Sequence, residues 1–307
     1  NLAKFSDPLK MEILEREKEA VRHELRPKIN PQAIFGERIR RTFSPSLNQY
    51  SKSMQERLDS VDNIKGEDLE RFYNEHYNAQ NSFLYIAGEP QKNLYNALKA
   101  FEALPSRGKP SAKILFDRDP ELKDRIEISD KVRDDGVAKM WIDYQAPYFP
   151  NDCNLGKLAA INTFVLYISD SNGPVFKRLR DEMHLCYSFE VDYDDTGNSS
   201  YLDFSVITNQ DPKSIEDEWL AIIKRVATDG IPEHFLSTIK NRRKIESLHR
   251  SRQFDLGGLM SEMEKGITRE DYKGEIEKLT PSDIQDVAKM FASKPYMVSI
   301  ALPKDKK

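Results

Sequence analysis

"PLKMEILEREKEAVRHELR", Pro8–Arg26, carries the most legible pattern in the 307-residue sequence. Asp7 is a natural N-cap, Pro8 suits the first helical position and Pro27 stops the run, so the spacing predicts a helix. At about 100° per residue, Leu9, Ile13, Leu14, Ala20, Val21 and Leu25 form one apolar stripe. Glu17 and Glu24 fall near the middle of that stripe, two turns apart and on one face. Beyond the first turn, Glu12, Glu15, Arg16, Lys18, Glu19, Arg22, His23 and Arg26 lie on or near the opposite side. A carboxylate turned toward a protein interior is costly unless it is paired, protonated or bound to metal. Two on one face raise that cost, because each disfavours ionisation of the other. A cationic partner is therefore expected opposite them: a metal ion, or a buried Arg or Lys. The bland alternative is an ion pair or a helix lining a wet cleft.

Working outward, Pro31–Phe43 is helical by pattern, and Ser44–Ile64 reads as a loop and helix. Gly66–Tyr77 places Leu69, Phe72, Tyr73 and Tyr77 at helical spacing, with His76 beside that face as a packed histidine. Asn81–Ala87 reads as a strand and Asn93–Leu104 as a short helix. "PSRGKPSAK" (Pro105–Lys113) has prolines, a glycine and basic charge without hydrophobic periodicity, which marks a linker and puts a domain boundary near residue 110.

Beyond it, Arg125–Ser129 and Val137–Gln145 read as strands. The latter alternates Val137, Lys139, Trp141, Asp143 and Gln145 against Ala138, Met140, Ile142 and Tyr144. Leu155–Ile168 and Gly173–Met183 read as helices, and Tyr187–Tyr193 with Ser200–Thr208 as an antiparallel hairpin. Helices are expected at Ser214–Thr228, Pro232–Ser251, Phe254–Glu264 and Pro281–Ala292, with "TREDYKGEIEKL" also helical, and Met297–Leu302 closes as a strand. "KNRRK" (Lys240–Lys244) is a solvated helix face rather than a nucleic-acid patch.

Three segments carry a resemblance. "LEREKEAVRHEL" (Leu14–Leu25) resembles the segment downstream of the metal motif in the insulinase/pitrilysin family of zinc peptidases, the inverzincins. "DLERFYNEHYNAQNSFLYIAGE" (Asp68–Glu89) resembles the helix-to-strand segment that closes that family's first domain. "GPVFKRLRDEMHLCYSFEVDY" (Gly173–Tyr193) resembles the signature of its second domain. The resemblance implies an α+β fold in two similarly folded halves, each a mostly antiparallel sheet with helices packed on it, the first half truncated at its N-terminus. Residues 1–110 would be the C-terminal part of the zinc-site domain and residues 111–307 the substrate-clamping domain, the two closing like a clam on the substrate. It further implies that Glu24 is a zinc ligand, with Glu17 as its outer neighbour. Arg180 and Tyr187 would hydrogen-bond the substrate backbone and the transition state. That role suits them, since Arg offers fixed N–H donors to a carbonyl and Tyr can donate to a developing oxyanion.

The motif that supplies the other two zinc ligands and the general base, H-x-x-E-H, is missing, and so is H-E-x-x-H. The histidines are His23, His76, His184, His234 and His249, none with a partner at metal-ligand spacing. The resemblance therefore implies a zinc metalloendopeptidase acting on peptides or unfolded polypeptides, holding one Zn2+ per full-length chain, with the N-terminal segment absent and this chain inactive and zinc-free by itself. The alternative is a non-catalytic family subunit or peptide-binding partner of an active peptidase. A homodimer, or a heterodimer with another family subunit, is compatible with either.

Bulk properties exclude more than they identify. The net charge of -4 gives no reason to expect nucleic acid. No apolar run approaches the roughly 18 residues of a membrane span. Cys153 and Cys186 are too few for a disulfide framework and read as structural thiols. The compartment is left open, with the cytoplasm favoured.

Overall fold

The alternation through Val137–Gln145 builds the centre of the sheet. Strand β2 (Ala138–Ala146) turns Ala138, Met140, Ile142 and Tyr144 to one face, where all four are buried. Successive strand residues point to opposite sides, so Lys139, Trp141, Asp143 and Gln145 share the other. The computed structural model describes residues 8–46, 52–82, 98–99, 102, 118–149, 151–196, 199–250 and 266–305. The linker expected at Pro105–Lys113, the helix expected at Phe254–Glu264, and most of the strand Asn81–Ala87 and the helix Asn93–Leu104 lie outside those residues.

With β1 (Ile126–Arg133), β3 (Ser188–Thr196), β4 (Ser199–Thr208) and β5 (Tyr296–Pro303), β2 forms a five-stranded sheet in the order β1-β5-β2-β4-β3. The β1–β5 pair is parallel and the other neighbours are antiparallel. The hairpin expected across Tyr187–Thr208 is present, but β3 opens at Ser188, leaving Tyr187 in the bend before it. The helices are α1 (Pro8–Leu25), α2 (Pro31–Phe43), α3 (Met54–Val61), α4 (Gly66–His76), α5 (Leu155–Ser169), α6 (Pro212–Asp229), α7 (Glu233–Arg250), α8 (Arg269–Lys278) and α9 (Pro281–Ser293). The fold is α+β.

Two compact units divide the chain: residues 1–34 with 48–115, and residues 35–47 with 116–307. In the second unit, α5, α6 and α9 cover the apolar sheet face with Phe164, Ile168, Trp219, Ile222, Ile284 and Phe291. Each such fully buried side chain contributes about 1.5–3 kcal/mol of transfer free energy. Trp219 stacks on Phe204 at 4.2 Å, and its Nε1–H donates to the Tyr144 hydroxyl at 3.2 Å. Glu216 is a buried acid in this layer. It accepts from Arg125 at 2.6 and 2.9 Å, from the Tyr296 hydroxyl at 2.8 Å and from Lys213 at 3.2 Å. Burial by itself would raise its pKa, but these donors, Arg125 foremost, hold the carboxyl below its ordinary value. On the opposite face, Phe35 and Phe43 of α2 pack with Ile128, Val132, Met297 and Ala301. In the first unit, α1 packs on α3, which a Ser53–Glu56 capping box starts. His76 packs its ring 4.4 Å from Phe72, as a packed histidine should.

Candidate functional site

The segment Gly173–Tyr193 begins at a glycine for a steric reason. A Cβ on Gly173 would lie 2.3 Å from the Tyr167 carbonyl oxygen, so no other residue fits without moving backbone. Pro174 follows at the start of the helical turn, where its missing N–H is not needed. The helix expected over Gly173–Met183 is present, with Phe176–Glu182 wound as a π-helix. Its wider i→i+5 bonds include Met183 N–H to the Arg178 carbonyl at 3.0 Å. The Leu185 N–H then reaches the Leu179 carbonyl at 2.7 Å, six residues back and one more than the 6→1 bond of a Schellman end. The wider winding accommodates Val175, Leu179 and Leu185 in one core while turning Arg180 to the surface of that core.

Two arginines on this turn differ in what they do. Arg178 grips Glu218 with two hydrogen bonds of 2.7 and 3.0 Å and Glu182 with one of 3.0 Å. Arg180 has no ion pair among the described residues. Its guanidinium instead lies 4.7 Å from the centre of the Phe176 ring and 5.2 Å from that of Tyr187. Such cation–π contacts orient a guanidinium without consuming its N–H donors. Tyr187 is 82% exposed. The structure thus brings Arg180 and Tyr187 together at the rim of a cavity of about 660 Å³, which Asp181, His184, Cys186 and Ile207 also line. Burial pushes the Cys186 thiol up, with the Arg180 charge pulling the other way. Both cysteines are free thiols.

His184, not among the residues expected at this site, also lines the cavity. It has a φ of 53°, in the left-handed region, and its Nδ1 lies 3.0 Å from the Arg180 carbonyl oxygen. The available signal was positional: the residue between a helix end and a strand is where a left-handed C′ residue belongs, and glycine is the usual choice.

The second candidate patch is α1, in the first unit. Here the stripe that carries Glu17 and Glu24 is not the packed side of the helix in this chain. The buried edge of the helix runs through Leu14 and Lys18, with Arg22 and Leu25 half-buried. Arg22 pairs with Asp62 just past α3, and this contact with Leu14 burial fixes which edge meets α3. Glu17 and Glu24 sit about a quarter turn away or more, and both are exposed. Glu17 pairs with Arg16 at 2.9 Å and its side chain is 59% exposed. Glu24 has no hydrogen-bond or ion-pair partner among the described residues. Met11, Ile13 and Val21 are exposed as well.

These residues do not by themselves fit a zinc ion. A catalytic zinc site takes three protein ligands. No group of three or more His, Cys, Asp or Glu among the described residues could hold a metal. Nor is any described helix long and apolar enough to cross a membrane.

Comparisons with known proteins bear on the family and the fold. The family model described as the peptidase M16 inactive domain matches residues 63–243. No curated protein sequence matches the chain. Among solved structures, the peptidase M16 inactive domain from Pseudomonas fluorescens superposes with a TM-score of 0.72 at 15% identity, over 96% of this chain and 72% of that one. The first half of the periplasmic protease PqqL from Escherichia coli gives 0.73 at 13% identity, over 95% of this chain and 66% of that one. A protease from Helicobacter pylori gives 0.66 at 16% identity over 80% of this chain, which spans 61% of that protein's length. At such identities these likenesses speak for the fold alone.

Proposed function

The chain belongs to the peptidase M16 family, carrying that family's inactive domain over residues 63–243, and from that premise we propose that it binds the backbone of a peptide or unfolded polypeptide for a zinc-dependent endopeptidase. The observation that supports this is Arg180: a guanidinium without a carboxylate partner among the described residues, held between two aromatic rings at the rim of a cavity. Its N–H groups are free to donate to a substrate carbonyl. Tyr187, beside it and exposed, can donate its O–H to charge developing on a carbonyl oxygen. In this reading Glu24 is one zinc ligand and Glu17 its outer neighbour. The remaining donors and the general base come from residues that the 307-residue sequence does not contain, because it holds no H-x-x-E-H.

A second reading is a non-catalytic subunit that presents peptide to a partner peptidase, as a homodimer or heterodimer. The family's description as an inactive domain favours it. Arg180 and Tyr187 have the same task in both, so the two readings part at the metal. The test is zinc content and peptide turnover in the protein encoded by the complete gene, in wild type and Glu24→Gln. The endopeptidase reading expects bound zinc that Glu24→Gln loses, with Glu17→Gln weakening it on the order of 10–100-fold. Unchanged zinc affinity in Glu24→Gln would remove Glu24 from the site. A complete protein that binds peptide and no zinc would establish the subunit instead.

A further inference from the structure

His184 is the non-glycine residue with positive φ among the described residues, at 53°. Glycine takes this left-handed geometry freely, whereas other residues adopt it uncommonly, histidine, asparagine and aspartate more often than the rest. The position nevertheless carries an imidazole, and an outlier of this kind beside a cavity calls for a functional account. The ring makes one hydrogen bond, from Nδ1 to the Arg180 carbonyl oxygen at 3.0 Å. A carbonyl only accepts, so Nδ1 carries the hydrogen and the neutral ring keeps Nε2 as an acceptor. Nε2 has no partner among the described residues, and the ring lines the same cavity as Arg180 and Tyr187.

An extended peptide presents both C=O and N–H groups. Arg180 supplies only donors, and the Tyr187 hydroxyl is assigned to a carbonyl as well. Both serve the substrate's carbonyls and leave its N–H groups without an acceptor. The other acceptors on the cavity wall are the Asp181 carboxylate, the Thr208 hydroxyl and the Asn209 amide. His184 is the one tied to Arg180 itself, since its Nδ1 fixes the carbonyl of the residue whose guanidinium meets the substrate. We propose that His184 Nε2 accepts a backbone N–H of the same peptide that Arg180 and Tyr187 hold by a carbonyl. This rests on the reading of the cavity as a peptide site.

The test uses the 307-residue chain and a fluorescently labelled, unstructured peptide followed by anisotropy, with a thermal melt of each variant. His184→Gly removes the ring and relieves the backbone. It is expected to weaken peptide binding about three- to tenfold, the range of one lost neutral hydrogen bond, while the melting temperature stays level or rises. His184→Asn tolerates the left-handed geometry. Its amide can replace the Nδ1 bond to the Arg180 carbonyl but does not reach the place of Nε2, so it is expected to bind as weakly as His184→Gly. Wild-type affinity in His184→Asn would confine the imidazole to a turn-closing role and overturn the proposal. Wild-type affinity in His184→Gly, alongside lost binding in Arg180→Ala, would overturn it while leaving the peptide site standing. A wild-type chain that binds no peptide would overturn both.

Discussion

The second unit holds two clusters built from the same chemistry, an arginine beside tyrosine and aromatic neighbours. In the first, Arg125, Tyr296 and Lys213 all close on the buried carboxylate of Glu216, and every donor has found an acceptor inside the protein. In the second, Arg180 lies between Phe176 and Tyr187 with no carboxylate among the described residues. The first cluster spends its electrostatics on the fold. The second keeps its donors available, and its aromatic contacts fix direction rather than satisfy charge. Arg178, two residues from Arg180 on the same turn, belongs with the first kind through Glu218 and Glu182. Sequence neighbours can therefore take opposite roles, and what separates them is the presence of an internal partner.

This contrast breaks most easily at Glu216. Its side chain is 2% exposed, and Glu216→Ala would remove the acceptor that Arg125, Tyr296 and Lys213 share, leaving Arg125 with Glu127 and Lys213 with Asp217. Because Arg125 and Lys213 keep those partners and are not themselves buried, the loss is that of the charge-assisted hydrogen bonds, expected to be about 3 kcal/mol. Denaturant unfolding followed by tryptophan fluorescence measures it directly, because Trp141 and Trp219 both lie in the second unit. A loss below about 1 kcal/mol would place the pair among weakly coupled surface contacts. Arg180→Ala should do the reverse. On the endopeptidase reading, Arg180→Ala and Tyr187→Phe in the protein from the complete gene are each expected to lower kcat/KM by about 10²–10³, the effect of a lost transition-state donor, with the unfolding midpoint held and zinc content unchanged from wild type. Turnover within about twofold of wild type for both would make these ordinary surface residues.

Asp143 sharpens the same distinction with a third arrangement, acid against acid. It stands directly across from Asp203 in the β2–β4 ladder, and Asp203 stands across from Asp192 in the β3–β4 ladder. Burial first, and then the neighbouring Asp203 charge, push the Asp143 carboxyl well above its ordinary value; burial and Asp192 raise that of Asp203. The folded protein thus keeps a proton that the unfolded chain has already released. The contribution to stability is full below the ordinary carboxylate range and is lost as pH rises from there through the folded value. Asp143→Asn supplies a permanent donor to Asp203, and is expected to flatten that slope and to stabilise at neutral pH by about 1–2 kcal/mol. Unfolding free energies across the acid-to-neutral range, measured for both proteins, check this. Parallel curves would mean that the two carboxyls do not share a proton.

Local periodicity carried much of the fold. The alternation at Val137–Gln145 correctly separated the buried Met140–Ile142–Tyr144 face from the Trp141–Asp143 face, because a half-buried strand writes its geometry in steps of two. The Asp143–Asp203 pair was not legible, since register between strands far apart in sequence is set by the whole sheet. Phe176–Glu182 was read as helical but not as π-wound. That winding depends on the closure from Leu185 to Leu179 and on a left-handed His184, neither of which has a 3.6-residue signature. Arg180 and Tyr187 could be picked out through a resemblance. Their freedom from internal partners, which gives the pairing its meaning, required coordinates.

The smallest expected effect is the one that tests α1. Glu17 and Glu24 share the apolar stripe read from periodicity, and neutralising two like charges there would raise stability only if that stripe were covered. The structure puts both on an exposed side, with Leu14 and Lys18 forming the packed edge. Exposed substitutions away from special features change stability by no more than about 0.5 kcal/mol. Glu17→Gln, Glu24→Gln and the double variant of the 307-residue chain are therefore expected to melt within about 1–2 °C of wild type by far-ultraviolet circular dichroism. Leu14→Ala on the same helix should melt lower, because it empties a buried position. A double glutamine variant that melts several degrees higher would mean that the acids face a desolvated surface. The stripe read from the sequence, rather than the edge that meets α3, would then be the packed side of the helix.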